Sequence, residues 1–124
     1  MADKSRFASE TLVRGVETVG TPVAIGTITV GGTTYTKYRK VVDFGNFPNN
    51  TSKDVSLGLS TSNKLLSATV TGNSPSGSIV LPIISGTGGD SSYNIEMTLV
   101  SNAMRVTTHR DRSAFTGLVT IEYY

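Results

Sequence analysis

The chain has 124 residues, one domain of ordinary size that buries roughly two-thirds of its unfolded surface. Its hydrophobic fraction is 37% and its charged fraction 16%, both below common globular usage, with Gly, Ser, Thr and Asn filling the difference; this is neither the charge-rich pattern of disorder nor that of a membrane helix. The net charge of +2 is spread out and argues only weakly for nucleic acid, while the absence of cysteine excludes disulfide scaffolds and thiolate metal sites.

Met1 to Glu17 is the most charged stretch, with Lys4, Arg6, Glu10, Arg14 and Glu17 among irregularly spaced Phe7, Leu12, Val13 and Val16. It reads as an arm over residues 1–20, without a core of its own, ahead of a domain over 21–124. The first residues hold no apolar run of the kind a secretory signal needs, so synthesis in a cytoplasm is expected.

Thr21 to Val30 reads as a strand, and Gly31-Gly32 as the turn of a hairpin into TTYTKYRK. The next stretch, Tyr38 to Leu59, organises the chain: a strand, a polar corner and a second strand. Val42 and Phe44 alternate with Val41 and Asp43. Gly45, Pro48, Asn49 and Asn50 break the strand, and Lys53 to Leu59 resumes it with Val55, Leu57 and Leu59 on one face.

Further on, KLLSATV places Leu66, Ala68 and Val70 on one face. TGNSPSG reads as a loop. SIVLPII is apolar on both faces, and Pro82 marks it as an edge strand or a bulge. SGTGGDSS is another loop. SYNIEMTLV points Tyr93, Ile95, Met97 and Leu99 inward, and Ser101-Asn102 turns it into AMRVTTH, with Met104 and Val106 inward. RDRSAFTG is the last loop and LVTIEYY the last strand. Eight or nine strands at this spacing predict an all-β fold, an antiparallel β-sandwich of jelly-roll type.

Several strands carry apolar residues on both faces: Val41 with Val42, Leu65 with Leu66, Ile79 and Leu81 with Val80, Leu118 with Val119, Tyr123 with Tyr124. A sheet wetted on one side alternates more strictly. The second face needs cover that one short chain cannot supply, so a subunit interface is expected; the duller alternative is scattered surface apolars.

Two blocks carry a likeness. YRKVVDFGNFPNNTSKDVSLGLS resembles a motif of bacteriophage tail-fibre and receptor-binding proteins, in which a Tyr-Arg-Lys-x-x-Asp-Phe-Gly strand precedes a Leu/Phe-Pro-Asn corner and a Lys-x-Val strand. HRDRSAFTGLVTIEYY resembles the same family's closing Asp-Arg-Ser loop and final strand. Asp43, Phe44, Gly45, Pro48, Asp111 and Ser113 fall on these motifs. The family usually carries the domain at the end of a longer fibre, whereas here it starts a few dozen residues after the first Met, as in a short appendage or a decoration. The resemblance implies a homotrimer in a virion and contact with the host surface, often with its glycans; it does not imply catalysis, and no enzyme is expected. The arm would dock onto other virion proteins.

Candidate chemistry is sparse. His109 is the only histidine, next to Arg110-Asp111-Arg112-Ser113, and reads as a polar strand end in preference to a triad member. Gly86 to Asp90 lacks the Lys-Ser/Thr of a phosphate loop. No metal or cofactor site is expected. Glycan-binding candidates are Phe47 and Phe115 as loop aromatics, with Asn49, Arg110 and Arg112; the alternative for the two rings is anchoring in the core or a trimer seam, and for the Arg-Asp-Arg cluster a structural role of Asp111. The loops 46–53, 72–78, 85–92 and 110–116 are expected to include the distal face.

Overall fold

The computed structural model describes residues 16–84 and 94–124. Two sheets face each other. The first, sheet A, has the order β1 (Val23–Val30), β2 (Thr33–Asn46), β9 (Thr116–Tyr123), β4 (Leu65–Asn73), β5 (Ile79–Val80). The second, sheet B, runs β3 (Ser52–Ser56), β8 (Ala103–Thr108), β7 (Ile95–Val100), β6 (Ile83–Ile84). Every pairing is antiparallel except β6 with β7. The chain is an all-β sandwich, as its turn spacing predicts.

The core lies between the sheets. Phe44, Val70, Val119, Ile121 and Tyr123 come from sheet A, and Ile95, Met104 and Val106 from sheet B, with Phe47 and Leu57 added from the connections. Each such side chain contributes about 1.5–3 kcal/mol on full burial. The nested pairs β2–β9 and β3–β8 have the wrapped connectivity of a jelly roll. The wrapping stops there: β4 and β7, next inward along the chain, lie in different sheets. Pro82 sits buried between β5 and β6, where the chain leaves sheet A for sheet B.

Both hairpins form at their turn residues. Gly31 and Gly32 have φ of 58° and 83°, the pair of positive values a two-residue turn of matching twist requires. Ser101, at φ 55°, serves the β7–β8 turn.

Two strand readings are corrected. In β4 a bulge between Leu65 and Ser67 leaves Leu66 without a ladder partner; Leu65 packs on the core and Leu66 is exposed. An alternation counted through a bulge slips by one residue. Leu99, placed inward by its alternation, is 44% exposed and lines a slot that opens between β4 and β7. Tyr93 and the 85–92 loop lie outside the described residues.

The two outer faces differ. On sheet B, Asp54 and Arg105 face each other in the ladder and make two hydrogen bonds of 2.8 and 3.0 Å. These bonds from Arg105 hold the Asp54 carboxyl below its ordinary value. Ser52 and Thr107 share a hydroxyl contact of 2.7 Å, and His109 Nε2 lies 3.5 Å from Glu96 Oε2. On sheet A, the outward rows hold Val41 with Thr120 and Thr69, and Leu118 with Asp43 and Thr71. The charged row there is Arg39 opposite Glu122, and Arg39 also pairs with Glu17 at 2.9 Å.

Candidate functional site

The two motif blocks, some sixty residues apart in sequence, form one interlocked corner at one end of the sandwich. It begins at a bulge in β2 between Asp43 and Gly45. Gly45 holds φ 75°, a value that favours glycine, and its N–H donates to Asp43 Oδ1 at 2.9 Å. Phe44, on the inward side with Val42, stands edge-on to Phe47 at 5.6 Å and 90°.

Phe47 is the hub. It is 1% exposed, and its N–H donates to the Phe115 carbonyl at 2.9 Å. Its ring lies on Gly72 of β4 and Gly117 of β9, where a Cβ would stand 2.7 and 2.5 Å from ring atoms. Both glycines are needed for their absent side chains, since the ring fills that space. Phe115 packs partly buried at 6.4 Å from Phe47.

The chain then closes the corner by backbone bonds. Pro48 is buried, and its carbonyl accepts from Thr108 Oγ1 at 2.9 Å and Arg112 N at 3.2 Å. Asn49 bridges Asp111, and Asn50, at φ 51°, donates its N–H to Arg110 O at 3.1 Å. Asn46 Nδ2 donates to Ser113 O at 2.8 Å. Asp111 Oδ1 accepts from Ser113 Oγ at 2.6 Å and Ser113 N at 2.9 Å, and the hydroxyl bond above all holds its carboxyl below the ordinary value.

Two inward lysines reinforce the frame. Lys53 Nζ donates to the carbonyls of Phe44 and Asn46, each at 2.8 Å, and stands 5.0 Å from the centre of the Phe44 ring. Lys40 Nζ donates to Leu57 O at 2.9 Å. The sequence offered no sign of this, because a lysine in an alternating strand reads as a solvated one.

The structure corrects one binding candidate outright. Phe47 presents no ring face to a sugar, because it is enclosed by Phe44, Gly72 and Gly117. Phe115 is half-buried against the same core, so the anchoring alternative describes both rings. Asn49 and Arg110 are exposed at the corner and Arg112 half-buried. Asp43, Phe44, Gly45, Pro48, Asp111 and Ser113 all lie within the interlock. His109 projects from sheet B toward Glu96, while Asp111 is engaged by Ser113, so the three do not form a relay. No cluster of three metal-ligating acids or histidines occurs among the described residues.

A feature the sequence did not announce lies at the other edge of the sandwich. Between β4 and β7 a slot of about 370 Å³ opens over Leu65, Ala68, Met97 and Leu99 down to Met104. A second groove of about 400 Å³, lined by Leu57, Leu59 and Asn102, continues it. It exists because the jelly-roll wrapping stops after two nested pairs. The Leu65-Leu66 doublet was its one trace in the sequence.

No helix among the described residues is long and apolar enough to cross a membrane. Comparison of the chain with protein-family models, curated proteins and solved structures finds no match.

Proposed function

We propose that this protein is a non-enzymatic structural component of a bacteriophage particle, a homotrimeric fibre or surface appendage that contributes to host attachment. The observation that carries the trimer is the contrast of outer faces. Sheet B is finished toward water by its own ion pair and hydroxyl ladder. Sheet A turns Val41 and Leu118 outward among threonines, with Leu118 43% exposed. Copies packed through sheet A cover that face and leave sheet B wet.

The phage reading rests on the resemblance of the two motif blocks, and their meeting in one corner supports it. Residues that a fibre motif holds together in sequence order are the ones that lock Pro48 and Asp111. Such a corner suits a scaffold for variable loops. The ends of β2, β9 and β4 at Asn46, Thr116 and Asn73 lie in one row, so three of the four expected distal loops gather there. Arm residues 1–20 dock the trimer to other virion proteins, and exposed Asn49 and Arg110 with half-buried Arg112 remain the candidates for host glycan.

Native mass by light scattering tests the assembly, and binding of the isolated trimer to host cells tests attachment. A trimer that binds cells supports the reading. A trimer that does not bind, but whose removal weakens the particle, favours a decoration protein. A free carbohydrate-binding module is disfavoured by the burial of Phe47. That module predicts a monomer with a glycan signal.

A further inference from the structure

β1 and the first residues of β2 leave the sandwich as a bare two-stranded ribbon. From Ala24 to Thr36 every residue but Ile28 is exposed. No charged residue occurs between Glu17 and Lys37. An isolated hairpin is marginal in water, and sheet edges left to solvent are commonly guarded by charge, proline or a bulge. Here Pro22 and the Ala24/Gly26 bulge lie at the base, and nothing of that kind guards the ribbon itself.

The register sorts the ribbon into two unlike faces. Thr27 opposes Thr36 and Thr29 opposes Thr34, and the last two share a hydroxyl contact of 2.9 Å. On that face Thr29 and Thr34 answer each other's hydroxyls. On the other, Ile28 opposes Tyr35 and Val30 opposes Thr33. Tyr35 and Val30 are 41% and 40% exposed. The Tyr35 ring meets Tyr124 at 4.9 Å, beside the end of β9. Counting by twos along β2, Tyr35 shares its side with Lys37, Arg39 and Val41, so the apolar row of the ribbon stands on the outward side of sheet A, with those two cations between it and Val41.

We propose that Ile28, Val30 and Tyr35 form the axial seam of the assembly, with the ribbons of three copies packed face to face as a short stalk and their threonines turned to water. This rests on the trimer reading and assigns its contacts. The occupant is another copy for two reasons. The row Ile28, Val30 and Tyr35 carries no charge with which to select a foreign partner. It also stands on the same side of β2 as the surface by which the sandwiches meet, so the rotation that joins the sandwiches brings identical rows together.

Light scattering on the wild type, Val30→Glu, Thr29→Glu and Leu118→Glu tests this, with circular dichroism as the check on folding. The chain lacks cysteine, so Val30→Cys and Thr29→Cys variants give clean oxidative cross-linking. The expected result is a wild-type trimer, a threefold drop in mass for Val30→Glu, unchanged mass for Thr29→Glu, and disulfide-linked dimers from Val30→Cys alone. Should Val30→Glu fail to fold, the Val30→Cys cross-link decides. A trimer that survives Val30→Glu without a Val30→Cys cross-link, yet dissociates with Leu118→Glu, overturns the stalk and leaves the trimer standing. A monomeric wild type overturns both.

Discussion

The two ends of β2 meet opposite fates. At Asn46 the strand enters a corner that its own chain closes on every side, with Phe47 buried and backbone donors answered by 108–115. At Thr33 the same strand stands in a ribbon exposed on both faces. Strand-forming residues fill both ends equally, so β propensity says nothing of cover. What separates them is who supplies the partner. The corner is complete in one copy, and on our reading the ribbon is completed by others. The corner therefore should resist dilution, and the ribbon should not.

The hardest blow to the corner is Phe47→Ala, which empties the space framed by Gly72 and Gly117. It should cost about 3–5 kcal/mol in denaturant melts at any protein concentration. If the loss is under about 1 kcal/mol, Phe47 is not the hub. Gly117→Ala attacks the same point from the other side, since the added Cβ would sit 2.5 Å from one Phe47 carbon and 3.1 Å from Phe44 Cβ. Overpacking of this kind costs about 1–3 kcal/mol, read as a lowered denaturation midpoint. Thr108→Val keeps the shape and removes the hydroxyl that bonds the buried Pro48 carbonyl. A loss of about 1–2 kcal/mol is expected.

A smaller effect has a distinct signature. The folded Asp111 carboxyl titrates below its unfolded value because Ser113 bonds its charged form. Its contribution is thus present above about pH 4 and lost as pH falls through the lowered folded value. The difference in Tm between wild type and Asp111→Ala should shrink on acidification below pH 4; a constant gap would mean the carboxylate charge is not involved. Smallest of all is Val30→Ala in protein dilute enough to be monomeric, expected within about 0.5 kcal/mol of wild type. At assembling concentrations its effect should grow. Hydrogen exchange over residues 26–37 should slow with concentration while that of 44–50 does not, and equal behaviour would erase the contrast.

Much of this was legible beforehand. Gly31-Gly32 and Ser101-Asn102 announced their hairpins because turn geometry is local. Met104 and Val106 announced their burial because β8 alternates without a bulge. Leu66 misled because a bulge is set by the partner strand, here β9, and leaves no local mark. Phe47 misled for a related reason. It follows Gly45 and precedes Pro48 in a stretch that reads as a surface loop, and only the absent side chains of Gly72 and Gly117, distant in sequence, make a socket for it. The inward lysines were hidden because carbonyls to receive them appear only when β2 and β3 have folded back.

One consequence reaches to how the molecule is made. β9 lies at the centre of sheet A and joins the β1–β2 hairpin to β4, supplying the ladder of residues 38–46 on one side and of 65–73 on the other. Until residues 116–123 emerge from the ribosome, two long strands wait with no neighbour between them. Sheet A then closes in a single late step, and a ribosome stalled before that point releases a chain of open edges ready to join whatever it meets.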